Sequence, residues 1–506
     1  MLVRAARLVP AVALTVFVAW PLATMGAGHL RPGAVGDVLG DPSLRGVILA
    51  TVRLALASTA AATVVGLLTA WSLDRHVFPG SRWLVAAVSV PFVMPAVVVA
   101  TGVLAVVPER GTAAVLWAHV VFNAAVVLHV VGPRWRLVPP DQLEAAASLG
   151  AGYLARARHV VWPHVRESVL AATALVFVFC MTTYSVPTVL GDAAMRTVET
   201  EVFVQAVRLG RTDIAVALST VQFIVVAAVL VLARRGRTTS MVGAAGRVRT
   251  AGRPVVRWAA PLIGWTMTVL VASPLAFVLV RSLRLDGRWT LAGWRALGDG
   301  MLLDVGIDVP AVVVRSVVFA SLAGTLALSL ALLVVRRGRP GVLETVSLAV
   351  AGTSAVTLGL GLVLAFDVDP VDWRAATWLI PVVHAVIALP LAVRAVGPAV
   401  RAVDGVLLDT AADLGAGPVR AWLRIGVPSL RPAIARAWGL GAAVSLGEFG
   451  ATSFLARSDS MTIPVAVAAL TGRAGPLLQQ AGFALSAGVV VALVVGFALV
   501  SRSVPR

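Results

Sequence analysis

The 506-residue chain contains no lysine; all 42 of its basic residues are arginine. A P-loop needs a lysine to reach nucleotide phosphates, so this chain cannot carry one. Any ATP-driven work therefore requires a separate ATPase subunit, which would hold the ATP and Mg; no cofactor is expected in this chain. Cysteine is almost absent. Cys180 stands alone inside an apolar run, which excludes a disulfide framework and a cysteine-based metal site. Charged residues make up 13%, where a soluble protein carries about 25%.

Apolar side chains fill the space left by these absences. They are 59% of the chain, and the mean hydropathy is +0.93. Several runs exceed the ~20 residues that cross a bilayer core as helix. The expected class is an all-α integral membrane protein. The formal charge of +18 invites a nucleic-acid reading. Its placement opposes that, because the arginines cluster between apolar runs, as positive-inside loops require.

The pattern predicts twelve spans. The first six are Val3 to Ala27, Val47 to Leu73, Trp83 to Val107, Thr112 to Val131, Glu167 to Leu190 and Asp213 to Ala233. The second six are Trp258 to Val280, Val309 to Val335, Val342 to Phe366, Ala375 to Val396, Ala433 to Ala456 and Leu477 to Val500. Between them, Arg234 to Arg257 is arginine-rich with Gly, Ser and Thr, and reads as a cytoplasmic linker. The expected domains are thus residues 1–233, a linker at 234–258, and residues 259–506. Both termini fall on the cytoplasmic side under this count.

An internal repeat supports the division. Glu144 to Pro163 reads E-A-A-A-S-L-G-A-G-Y-L-A-R-A-R-H-V-V-W-P, and Asp409 to Pro428 reads D-T-A-A-D-L-G-A-G-P-V-R-A-W-L-R-I-G-V-P. The offset is 265 residues. At the same offset His119 meets His384, Gly132-Pro133 meets Gly397-Pro398, Arg166 meets Arg431, Thr197 meets Thr462 and Arg208 meets Arg473. Six spans per copy return the chain to one side, so the halves are parallel copies.

Each repeated segment sits in the loop after the fourth span of its half. Asp141 can N-cap a short helix with Glu144 at capping-box spacing, the alanines favour helix, and Gly150 offers a C-terminal cap. Pro163 and Pro428 are expected to end the element before the next span. A helix with small residues forward permits close approach to another protein, with Arg156, Arg158, Arg420 and Arg424 available to acidic groups or lipid phosphates.

This pattern resembles the "EAA" loop of binding-protein-dependent ABC transporter permeases. Glu144, Ala145, Ala146, Gly150 and Pro163 match it position by position. In the second copy Asp409, Ala411, Gly415 and Pro428 match, while Thr410 departs from the middle alanine. The resemblance implies that each loop is a coupling helix docked on an ATPase subunit, two copies in all, with an extracytoplasmic binding protein delivering solute across a bacterial inner membrane. The fused arrangement is similar to thiamine and ferric-iron importer permeases. Ser445-Leu446-Gly447-Glu448-Phe449-Gly450 and Thr197 to Phe203 resemble segments of the thiamine branch. Thiamine is the leading expected substrate and ferric iron the alternative.

Glu448 is a carboxylate within an expected span, with Thr183 at the matching first-half position. Such acids point to a translocation path; the plainer reading is a helix-end carboxylate bonded to backbone or to an arginine. His119 and His384 lack a cysteine or acid cluster nearby and read as buried, hydrogen-bonded histidines rather than metal ligands. Trp258, Trp265, Trp289, Trp294 and Trp378 read as interfacial anchors. No catalytic triad is visible. The rival class is a secondary transporter with two parallel six-helix halves, for which Leu73-Asp74-Arg75, Gly80 and Arg82 form a faint inner-loop signature. It gives no reason for a repeat strongest after the fourth span.

Overall fold

The computed structural model describes residues 8–234, 248–249, 254–336, 338–368, 371–403 and 405–503. Most of the expected linker at 234–258 lies outside these residues. Among the described residues the fold is helical, as expected, with three two-stranded ribbons of two residues per strand.

In the first half, α1 (Leu8–His29), α2 (Pro42–Arg75), α3 (Ser81–Val93), α4 (Ala96–Val106) and α5 (Thr112–Arg136) precede the short α6 (Pro140–Ser148). Then follow α7 (Trp162–Met181), α8 (Ser185–Leu190), α9 (Val198–Phe203) and α10 (Thr212–Arg234). The second half has α11 (Pro254–Ser282), α12 (Val309–Val334), α13 (Val342–Gly352), α14 (Ala355–Ala365) and α15 (Leu379–Ala402). Its short α16 (Gly405–Asp413) leads to α17 (Val427–Gly447), α18 (Gly450–Leu455), α19 (Ile463–Gly472) and α20 (Pro476–Ser503).

Among the described residues nine helices are long and apolar enough to cross a membrane, or eleven if each bent pair is one span. Twelve were expected. The third and ninth expected spans are the bent pairs, α3–α4 at 112° and α13–α14 at 106°. The two bends have different causes. Pro95 forces Met94 into an extended conformation, ψ 149°, because its ring collides with a helical predecessor. In the second half the Ser354 hydroxyl accepts from Val356 N at 3.1 Å and Thr357 N at 3.3 Å, starting a new helix there. The eleventh expected span departs furthest. It is built as α17 and α18, separated at Glu448–Phe449, and α17 carries Arg431 and Arg436.

Each half has a three-helix core, α2–α5–α7 in one and α12–α15–α17 in the other. Small residues on these helices bring backbones together. A Cβ on Gly324 would lie 2.8 Å from the Trp438 carbonyl oxygen, and one on Gly441 would lie 2.9 Å from the Gly324 Cα. That is the geometry by which helices pack in lipid, where burial of apolar surface between helices gains little. The first helix of each half crosses over. α1 packs on α12, α13, α14 and α15, and α11 packs on α2, α3, α4 and α5.

The repeat reaches down to single hydrogen bonds. Thr51 Oγ1 accepts from Val198 N at 2.9 Å, and 265 residues on Ser316 Oγ accepts from Ile463 N at 2.9 Å. Each hydroxyl also donates one turn back along its helix, to Val47 and Val312.

Candidate functional site

The two repeated loops fold alike. α6 and α16 span equivalent residues and end on the same cap. Gly150 and Gly415 both have φ +80°. Ala151 N donates to Ala146 O at 2.9 Å and Gly150 N to Ala147 O at 3.0 Å; Ala416 N donates to Ala411 O at 2.8 Å and Gly415 N to Ala412 O at 2.9 Å. These paired bonds are a Schellman cap, which needs a left-handed residue after the helix. A Cβ on either glycine meets nothing within 4 Å, so the backbone angle, not crowding within the chain, selects glycine.

Ala146 and Ala411 are the half-buried members, while Glu144, Ala145, Asp409 and Thr410 are exposed. Leu149 is 88% exposed and its equivalent Leu414 is 83% exposed. Neither loop helix buries any residue. Two amphipathic helices at matched places thus hold an exposed leucine at their C-terminal ends. The expected Asp141 cap is absent. Pro139 occupies the N-cap position with no side-chain bond, and Asp141 lies within the first turn, where its charge suits the helix dipole.

Pro163 and Pro428 do not end their elements. Short helices Tyr153–Arg156 and Pro418–Ala421 continue through wider π turns, Ala157–Val161 and Trp422–Gly426, into α7 and α17. A proline lacks an N–H and its ring clashes with the carbonyl four residues back. A widened turn just ahead moves that carbonyl away, so the proline sits inside a continuing helix.

At the base of each loop stands an equivalent arginine with a different acid. Arg136 pairs with Asp74 from the end of α2 at 3.3 Å, and Arg401 pairs with Glu344 from α13 at 3.0 Å. Both acids are buried.

The second site lies where the helices break. Ala96, Thr183, Tyr184, Ala355, Glu448 and Phe449, from four helix breaks, line one cavity of ≈ 210 Å³. The structure thus brings Thr183 and Glu448 together across the two halves. Tyr184 and Phe449, again 265 residues apart, stack with ring centroids 5.2 Å apart and 23° between planes. Phe203 and Phe454 extend the cluster edge-on.

The Glu448 carboxylate caps α18. It accepts from Ala451 N at 3.0 Å, Thr452 N at 2.9 Å and Thr452 Oγ1 at 2.6 Å, with His384 Nε2 at 3.5 Å. It is therefore a helix-end carboxylate bonded to backbone and a cavity-lining group at once. His384 also bonds Ser445 Oγ at 2.8 Å and Thr452 Oγ1 at 2.9 Å. Its equivalent His119 bonds Ser58 Oγ at 2.8 Å, from the opposite neighbouring helix. The serine has changed sides. Residues 323 and 180, the positions matching Ser58 and Ser445, are Ala323 and Cys180. Among the described residues His119 Nε2 and Asn123 Oδ1 have no hydrogen-bond partner, and both residues line the cavity. Sequence reading missed Asn123, although a polar residue one turn after His119 in an apolar run is a usable signal. Among the described residues no group of three or more His, Cys, Asp or Glu could hold a metal ion.

No family model matches the chain. Curated relatives do. It is 26% identical, over 94% of its length and 91% of the relative's, to a probable ABC transporter permease protein, y4fN, of Sinorhizobium fredii. It is 24% identical to the thiamine transport system permease protein ThiP of Brucella abortus, over 82% of this chain and 79% of the relative. Over 24% of this chain and 45% of the relative it is 29% identical to a putative 2-aminoethylphosphonate transport system permease protein, PhnV, of Salmonella typhimurium. These relatives, one of them matched nearly end to end, are ABC transporter permeases, and two copies of one exposed loop in this chain are consistent with two permease halves fused in a single polypeptide.

Proposed function

We propose that this permease imports a small cationic solute, thiamine before ferric iron, with ATP hydrolysed by two separate ATPase subunits that grip α6 and α16. The reading rests on one observation: two outward-facing helices with the same glycine cap and an exposed leucine at each tip. Two equal sites suit two equal partners. Glu144, Ala145, Ala146, Gly150 and Pro163 form the first contact element, and Asp409, Ala411, Gly415 and Pro428 the second. An extracytoplasmic binding protein presents the solute at the opposite face, both termini are cytoplasmic, and the membrane is a bacterial inner membrane.

Nucleotide-driven movement of the loops would rock the halves and open the cavity containing Thr183 and Glu448. At ≈ 210 Å³ it is smaller than the ~300–1,000 Å³ of a typical ligand pocket, consistent with a closed path. Its lining includes aromatic rings, one carboxylate and no arginine. That chemistry suits a cationic aromatic solute, through ring faces and a negative charge, better than a phosphonate.

The test is uptake by proteoliposomes holding the chain, its ATPase and its binding protein. Labelled thiamine should accumulate with ATP and be competed by unlabelled thiamine, not by ferric ion or 2-aminoethylphosphonate. Accumulation of either competitor instead would replace the substrate assignment. ATP hydrolysis by the isolated chain would remove the division of labour.

A further inference from the structure

A cleft of ≈ 660 Å³ opens beside the second loop and has no part in the reading above. Its walls include Leu332, Val400, Trp422 and Leu430, and two exposed arginines, Arg336 and Arg339, border it. It lies just past the end of α12, on the side of the protein that carries the coupling loops.

The first half differs at the matching positions. Trp71 stands where the second half has Arg336, Asp74 where it has Arg339, and Trp135 where it has Val400. Asp74 engages Arg136, and Trp71 lies edge-on to the His76 ring at 4.9 Å. In the second half the nearby acid, Glu344, is taken by Arg401. Among the described residues Arg336 and Arg339 have no acidic partner. One half thus has aromatic bulk and a neutralised charge where the other has an open apolar cleft with uncompensated positive charge.

We propose that this cleft holds one anionic glycerophospholipid from the leaflet on the coupling-loop side. Apolar walls beside a spanning helix suit an acyl chain, and the arginines suit the phosphate. A soluble anion would leave the apolar walls wet, and a neutral lipid would leave the arginines unmatched. Trp422 belongs to the segment that carries α16 into α17 and Leu430 to the start of α17, so the lipid would brace the second loop and not the first.

The experiment is native mass spectrometry of the detergent-purified full chain titrated with phosphatidylglycerol. One saturable adduct should form, at least about tenfold tighter than with phosphatidylcholine, and glycerol 3-phosphate should not displace it. Arg336→Gln with Arg339→Gln should weaken the adduct at least about tenfold, since each basic residue near an anionic surface contributes materially. Arg336→Lys with Arg339→Lys should stay within about threefold and reports that the protein folds. Leu332→Trp fills the wall with both arginines intact and should also lose the adduct. Unchanged binding in the glutamine pair or in Leu332→Trp would overturn the proposal. So would displacement by glycerol 3-phosphate, which would mark a free-phosphate site, or by the ATPase subunit, which would assign the cleft to that interface. Transport activity is not part of this readout, so its outcome and that of the importer reading are separable.

Discussion

Replacing Gly150 separates two reasons for a glycine at the loop. Its φ of +80° costs an L-residue roughly 1–2 kcal/mol, and among the described residues nothing beyond its chain neighbours lies within 4 Å of the added Cβ. The strain falls on the Schellman cap of α6, an exposed helix outside the spans, so the spans should assemble normally. If docking needs the capped conformation, its ratio to uncapped conformers should fall about five- to thirtyfold in Gly150→Ala. Asparagine tolerates left-handed backbone, so Gly150→Asn should retain activity within about threefold. The same pair at Gly415 should behave alike. The assay is ATP-driven uptake in proteoliposomes with the ATPase subunit, alongside the fraction of ATPase retained on the purified chain. Equal losses in the Ala and Asn variants would show that side-chain bulk against the partner decides, and that the backbone argument is wrong. Full activity in all four variants would remove both loops from coupling.

Other expectations follow from the two sites. Glu448→Gln should lower the melting temperature, because an amide nitrogen must face one of the backbone N–H groups the carboxylate now accepts, at a cost of about 1–3 kcal/mol. It should also slow uptake of a cationic solute several-fold, and an uptake rate equal to the parent would limit Glu448 to capping α18. Asp74→Asn and Arg136→Gln should be non-additive in a double-mutant cycle of thermal stability, since they form one pair; additive effects would show that the pair is idle. A reporter fused at Asp299 should lie outside the cell and one after Arg502 inside, and the reverse result would invert the topology. Asn123→Ala should change substrate competition more than protein level, because its Oδ1 has no partner among the described residues; an unchanged competition profile would make it a packing residue.

The repeat made much of this architecture legible. A fixed offset carried Thr51 onto Ser316, Gly150 onto Gly415 and Tyr184 onto Phe449, because the packed backbone tolerates no insertion between those positions. What stayed hidden depends on contacts distant in sequence. The bend at Ser354 comes from one hydroxyl capping a new helix inside an apolar run, which reads equally well as a continuous span. Pro163 looked like a terminator because the compensating wide turn before it leaves no composition signal. The partner of His119 could not be read at all, since its serine comes from a different helix than that of His384. Glu448 was legible as a rare intramembrane acid, with a helix-end carboxylate as one of its two readings; that this helix end is a break inside the expected span was not.

The crossed first helices change what the fusion of the halves means. Because α1 lies on the second half and α11 on the first, the two bodies clasp each other independently of the segment that joins them. Chains 1–234 and 254–506 made separately should therefore find each other in the membrane and co-purify. What a single gene adds is stoichiometry and identity: one of each half, synthesised together, with no route to a pairing of two like halves. That constraint lets the halves diverge, keeping a serine, an acid or a lipid cleft on one side only, without producing mismatched transporters.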